Sequence, residues 1–263
     1  MEHNFKKKFG QNFLQDKNII KKISEVANPL KDDLIIEIGP GAGALTEELV
    51  KKSNVLAYEI DKELEPVLKE KFKDYNLSIV FDDFLNRNIK EDLKSFKYNK
   101  LYVIANLPYY ITTPIINKII NENIDVEKMV LMVQKEVGER FSASAGTKDY
   151  SSITIFLNYY FEIRKEFIVS RNSFFPKPNI DSIIISFTKK NKKYNVIDEG
   201  HFFKLIRDAF KQKRKTLKNN LKNYDFSIIE NVLKNNNIPI DVRAENIKIE
   251  TFVEISNSLI SNK

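Results

Sequence analysis

A chain of 263 residues with 42% hydrophobic content can bury a sizeable core, as one large domain or as a medium domain with a small companion, and no apolar run approaches the length of a membrane span. There is no cysteine and only two histidines, His3 and His201; this excludes disulfides, thiolate metal sites and a cysteine nucleophile, and argues against a histidine metal site or a Ser-His-Asp triad. The net charge of +7 is unevenly spread: Phe187 to Lys222 holds twelve Lys or Arg against three acids, more than the whole excess, so a polyanionic partner is expected.

The stretch Met1–Phe9 is basic with no apolar signal core behind it, so no export signal is expected. Residues 5–14 interleave bases and aromatics around Gly10. Asp16 is placed to cap a helix ending near Ala27, with Ile19, Ile20, Ile23 and Val26 at helical spacing. Leu34–Ile38 reads as a strand that runs straight into Gly39-Pro-Gly-Ala-Gly-Ala44, followed by a helix over Leu45–Lys52. A glycine turn between strand and helix lets the backbone approach a ligand closely. Val55–Tyr58 is the next strand. It ends at Glu59, 20 residues after Gly39, where a carboxylate can accept hydrogen bonds from the ribose of a bound nucleoside. Leu77–Phe81, ending in Asp82-Asp83, is a third strand, Leu101–Ala105 a fourth and Met129–Val133 a fifth.

Strands alternating with helical segments predict a doubly wound α/β fold with a parallel sheet, whose polar strand ends Gly39, Glu59, Asp83 and Asn106 line one edge. The fourth strand leads into Asn106-Leu-Pro-Tyr-Tyr110, which suits the gripping of an exocyclic amine on a flat ring. The Asn106 amide oxygen accepts a hydrogen bond. Pro108 stiffens the turn and helps to expose the Leu107 carbonyl, and Tyr109 offers a face for stacking.

Ser151–Phe161 reads as a buried helix, and Glu162–Val169 with Asp181–Phe187 as a strand pair. The loop Arg171–Pro178 between them carries two prolines and presents Phe174 and Phe175. Beyond His201 the pattern is helical. Phe202, Ile206, Phe210, Leu217 and Leu221 form an apolar stripe, and Arg207, Lys211, Arg214, Lys215, Lys218 and Lys222 a basic stripe on the other face of the same helix. Further helices are expected at Ser227–Asn235 and Ile249–Ser261. The polar stretch Lys189–Glu199 marks a boundary between a domain over residues 1–190 and a small all-helical domain over 191–263. Taken alone, Gly39–Ala44 also fits the dinucleotide fingerprint of a nicotinamide dehydrogenase. Such an enzyme has no evident use for Asn-Leu-Pro-Tyr or for a basic helical appendage. A non-catalytic RNA-binding module would use the basic residues but would not need Glu59, Asp83 and Asn106.

Seven blocks taken together resemble the ribosomal RNA adenine N6-dimethyltransferase family. They are Gly10-Gln-Asn-Phe-Leu14, Glu37–Gly43, Tyr58–Asp61, Asn106–Pro114, Phe174–Ser182, Arg214–Leu221 and Arg243–Asn246. The resemblance implies a Rossmann-like class I methyltransferase sheet, S-adenosyl-L-methionine as cofactor and no metal. It implies dimethylation of N6 on two adjacent adenosines near the 3′ end of 16S ribosomal RNA, within the 30S subunit, by a cytoplasmic monomer without membrane attachment. On the same grounds Asn12 and Leu14 would close over the cofactor. Gly39 and Gly41 would approach it, Glu59 would hold its ribose and Asp83 its adenine amine. Asn106, Leu107, Pro108, Tyr109 and Phe174 would form the catalytic pocket, with Asn106 also on its cofactor side. Lys211, Arg214, Lys215, Lys218, Arg207 and Lys222 would contact RNA. Leu107, Thr113-Pro114 and Arg214-Lys-Thr-Leu217 are similar to the housekeeping small-subunit branch. The large-subunit, macrolide-resistance branch is the alternative. Tyr110 departs from the family, where many members carry Asn.

Overall fold

The computed structural model describes residues 13–107, 111–191 and 194–261. Asn12, Pro108 and Tyr109, three of the candidate site residues, lie outside that set. The chain divides into two compact units, Met1–Gly138 with Arg164–Lys189, and Glu139–Ile163 with Lys190–Lys263.

The first unit begins with β1 (Phe13–Leu14) and α1 (Lys17–Ala27). Asp16 caps α1 as expected, accepting the backbone N–H of Asn18 at 2.9 Å. There follow β2 (Leu34–Ile38), α2 (Thr46–Leu49), β3 (Asn54–Tyr58), α3 (Glu65–Lys71), β4 (Leu77–Val80), α4 (Ile89–Leu93), β5 (Leu101–Asn106), α5 (Thr112–Asn121), β6 (Lys128–Gln134) and α6 (Lys135–Phe141). Helix α2 is shorter than the expected Leu45–Lys52. The N–H groups of Lys52 and Ser53 both turn back onto the Leu49 carbonyl and end it. After α7 (Ser152–Tyr160), β7 (Phe161–Val169), β8 (Phe174–Phe175) and β9 (Ser182–Lys189) complete the strands.

The main sheet has seven strands in the order β4-β3-β2-β5-β6-β9-β7. Strands β4, β3, β2, β5 and β6 are mutually parallel, and β9 is antiparallel to β6. Every residue of β2 and nearly every residue of β5 and β6 is buried. This is why they read as apolar runs, interrupted in β2 by Glu37 alone, rather than as alternating ones. Because β9 runs against β6, Ser182 pairs with Gln134, and the loop that precedes β9 arrives at the C-terminal edge of the parallel strands. In that loop β8 pairs with β1, Leu14 opposite Phe174, and this joins two sequence blocks about 160 residues apart.

The second unit is helical: α7 with α8 (Glu199–Ala209), α9 (Leu217–Asn220), α10 (Phe226–Asn235) and α11 (Ile249–Ser261). Its core contains Ile155, Tyr159, Phe202, Ile206, Leu217, Leu221, Leu233 and Phe252. The segment 139–163, placed by sequence in the first domain, belongs to this unit because Ile155 and Tyr159 pack into that core. The single basic helix expected from Phe202 to Lys222 is corrected by the structure: α8 stops at Ala209 and a turn separates it from α9. The Asn220 side-chain amide donates to the Ala209 and Gln212 carbonyls at 2.7 and 3.1 Å, giving α8's terminus the partners a further helical turn would have supplied. Leu217 N–H meanwhile donates to Val242 O at 2.7 Å, and Thr216 caps α9. The apolar residues are seven apart across the break, a spacing that a turn can bridge as well as a helix. Among the described residues no helix is long and apolar enough to cross a membrane.

Candidate active site

The C-terminal edge of the parallel strands is built by register. Ile38 is level with Tyr58 on one side and with Ala105 on the other, so Gly39, Glu59 and Asn106 follow at adjacent strand ends. Gly39 N–H donates to Tyr58 O at 2.9 Å and Glu59 N–H to Val80 O at 3.0 Å, which extends the ladder to the edge. Gly39, Gly41 and Gly43 have φ of +71°, +56° and +78°. L side chains rarely adopt this conformation, so the turn needs glycine. A Cβ on Gly39 would meet only the Asn106 carbonyl, at 4.0 Å, whereas one on Gly43 would run into the Phe72 ring at 2.6 Å. The turn is therefore open where it faces the Asn106 strand end and closed where it packs on α3.

Glu59 is 3% exposed, and its carboxylate is engaged by backbone alone: Oε2 accepts from Gly41 N–H at 3.0 Å and Oε1 from Asp61 N–H at 2.9 Å. Burial raises its pKa, and those backbone donors pull against the rise. Glu59 thus ties the glycine turn to the end of β3 before it meets any ligand. Behind it lies an acid to which the sequence reading gave no role. Glu37 in β2 is 1% exposed, and burial pushes its carboxyl up to about 8, with the neighbouring Glu59 adding to the rise. The Thr46 hydroxyl is close enough to lower it somewhat without completing a hydrogen bond, since Glu37 Oε2 and Thr46 Oγ1 both lack partners of normal geometry. The signal in the sequence was a single carboxylate inside the run Leu34-Ile-Ile-Glu-Ile38. Asp83 is half-buried and accepts from Leu85 N–H at 2.9 Å, while Asp82 is exposed and lies 3.7 Å from Arg87. Among the described residues no cluster of three or more His, Cys, Asp or Glu could hold a metal ion.

On the other side of the glycine turn, Asn106 is half-buried and Leu107 is 2% exposed. The segment leads into α5, where Thr112 is buried with its hydroxyl unpartnered. Leu14 and Phe174, opposite each other in the β1–β8 pair, are 6% and 5% exposed and pack into the same core as Val169 and Ile184. Phe174 is therefore a fixed, almost buried ring, and Phe175 beside it is 52% exposed.

The basic residues lie in the second unit, and the helix break disperses them. Arg207, Lys211, Arg214, Lys215, Lys218 and Lys222 are all exposed. Lys211 and Lys222 are brought together at a pocket of about 270 Å³, also lined by Lys204, Gln212, Asn219 and Tyr224. Lys204, absent from the sequence reading, is held there by Asp208 at 2.8 Å and by the Tyr224 hydroxyl at 3.1 Å. Lys218 sits elsewhere, 5.5 Å above the Phe226 ring.

Residues 2–261 match the family described as ribosomal RNA adenine dimethylase. The chain is 46% identical over 254 residues to "Ribosomal RNA small subunit methyltransferase A" of Mycoplasma mobile, covering 96% of this chain and 97% of the relative. To the protein of the same name from Bacillus cytotoxicus it is 43% identical over 270 residues, covering 98% and 92%. Among solved structures, a dimethyladenosine transferase from Plasmodium falciparum superposes with a TM-score of 0.76 at 27% identity, over 92% of this chain and 95% of that one. The 23S rRNA methyltransferase ErmE shares the fold, with a TM-score of 0.77 at 24% identity over 95% of this chain and 100% of that one. With the match spanning both units, and with the glycine turn, Glu59 and Asn106 gathered at one sheet edge, the chain belongs to the ribosomal RNA adenine dimethylase family.

Proposed function

We propose that this protein uses S-adenosylmethionine to dimethylate N6 of two adjacent adenosines near the 3′ end of 16S ribosomal RNA in the 30S subunit. The observation that supports the reading is that the Gly39–Gly43 turn, Glu59 and Asn106 follow adjacent strand ends at one sheet edge, with Glu59 bonded to Gly41. The residues present fit the cofactor. An open glycine turn admits close backbone approach, and the Glu59 carboxylate at its edge offers acceptors that suit ribose hydroxyls. When bound, S-adenosylmethionine supplies a methyl group already activated on sulfur. Glu59 holds the ribose through lone pairs left by Gly41 and Asp61, Asp83 takes the adenine amine, and Asn12 and Leu14 close the site.

The target base must leave its stack to reach the pocket. The Asn106 side chain and the Leu107 carbonyl accept from the two N6 hydrogens, which favours a pyramidal nitrogen with an available lone pair. Pro108 fixes the turn, and Tyr109 and Phe174 hold the base between them. Rate then depends on alignment, and the proton leaves once the amine has become cationic. Lys211 and Lys222, with Arg207, Arg214, Lys215 and Lys218, bind RNA phosphates and position the substrate.

The names of the full-length relatives favour the small-subunit substrate over the large-subunit alternative. We take the protein to act as a cytoplasmic monomer that needs no metal. The decisive experiment is incubation with labelled S-adenosylmethionine and undermethylated small subunits, followed by nucleoside analysis. Dimethyladenosine in the small-subunit RNA is the expected product. Its absence, with the RNA still bound, would leave a binding module.

A further inference from the structure

Phe174 and Phe175 are consecutive residues of β8, and consecutive residues of a strand face opposite ways. Leu14 and Phe174 share the buried side, whereas Phe175 is 52% exposed. The two rings therefore cannot hold the same base. We propose that Phe175 stacks on an unpaired RNA nucleotide flanking the target adenosine, fixing the strand on which the target lies. This rests on the function proposed above.

Three features of the structure select that occupant. The first is position: β9 begins where β6 ends, so the loop carrying Phe175 stands at the sheet edge that holds Asn106 and Gly39. The second is charge: the exposed ring is followed by exposed Lys177 and preceded by exposed Arg171, cations that suit a phosphodiester on either side of a stacked base. The third is order. Arg171 N–H donates to Asp181 Oδ1 at 2.9 Å and its guanidinium to Asn179 O at 3.0 Å, which closes the base of the loop. Pro176 and Pro178 stiffen its tip. A ring already held in place loses little freedom on binding, so stacking contributes to affinity with little offset. Every base has a π-face, so Phe175 contributes position rather than base identity, and the Asn106 pocket is left to select adenine.

The test compares Phe175→Ala, Phe175→Leu and Phe175→Tyr in the full-length protein. It measures affinity for undermethylated small subunits, methylation at saturating cofactor, and affinity for S-adenosylmethionine by calorimetry as a control on folding. Loss of one stacked base should weaken subunit binding by about 5- to 150-fold in the Ala and Leu variants. Tyr should restore it, and cofactor affinity should be unchanged in all three. A Leu variant that binds like the wild type would reduce Phe175 to apolar bulk and overturn the inference, as would an Ala variant of undiminished affinity. Subunits left unmethylated by the wild-type protein would instead overturn the function on which the inference rests.

Discussion

Replacing Glu59 by Ala tests the cofactor edge most directly. In the structure its two oxygens accept from Gly41 N–H and Asp61 N–H at 3.0 and 2.9 Å, at a side chain 3% exposed. Hydrogen bonds to a charged group contribute about 1.5–3 kcal/mol each, and a buried donor left without a partner costs about 1–3 kcal/mol. The substitution therefore acts twice. It removes the acceptor for the ribose hydroxyls and it frees the glycine turn at Gly41, so the turn must be ordered when the cofactor binds. Loss of one charged contact alone corresponds to an affinity about 10- to 150-fold weaker. Calorimetric titration of S-adenosylmethionine, alongside a thermal melt of the ligand-free protein, reads both effects. Glu59→Gln should fall between wild type and Ala in cofactor affinity. It keeps one acceptor oxygen but turns an NH2 donor toward a backbone N–H. A Glu59→Ala variant that melts like the wild type and binds within about twofold of it would refute the reasoning, because neither the turn nor the ribose would then depend on this carboxylate.

Asn106→Ala should leave the fold and subunit binding nearly intact and remove most single-turnover methylation at saturating cofactor; a rate within a few-fold of wild type would show that the amine is gripped elsewhere. For Glu37, the folded-state pKa of about 8 lies above the ordinary carboxyl value, so the folded protein holds a proton that the unfolded chain releases, and stability should fall as pH rises from about 4.5 toward 8. The slope from this group is at most about 1.4 kcal/mol per pH unit, and a Glu37→Gln variant, melted across the same range, should lack that component. Gly43→Ala should destabilise the protein, since the new methyl meets Phe72 at 2.6 Å at a φ of +78°; an unchanged melting temperature would mean that α3 yields freely. Reversing Lys211 and Lys222 together to Glu should abolish subunit binding while sparing cofactor binding. Neutralising either one should lower the log–log salt slope by about 0.7–0.9, measured as subunit affinity over a salt series.

The sequence alone determined the five parallel strands of the first unit, because strands buried on both faces are largely apolar runs, and β2 and β5 begin and end within a residue of those runs; β1 and β8 lay unread in a basic-aromatic stretch and a loop. It also determined the edge: in a parallel sheet, residues that follow successive strands must emerge together, so Gly39, Glu59 and Asn106 could be grouped before any coordinates. The caps at Asp16 and the last two helices were legible for similarly local reasons. Pairings between distant segments were decided only by the tertiary structure. No local pattern states that Leu14 lies opposite Phe174, or that residues 139–163 join the C-terminal helices. The break between α8 and α9 was hidden because apolar residues seven apart satisfy a helix and a turn equally, and the deciding contacts come from Asn220 and Val242. The state of Glu37 was hidden for the same kind of reason: its spacing shows a carboxylate in a strand, but only the packing around it sets how strongly its charge is opposed.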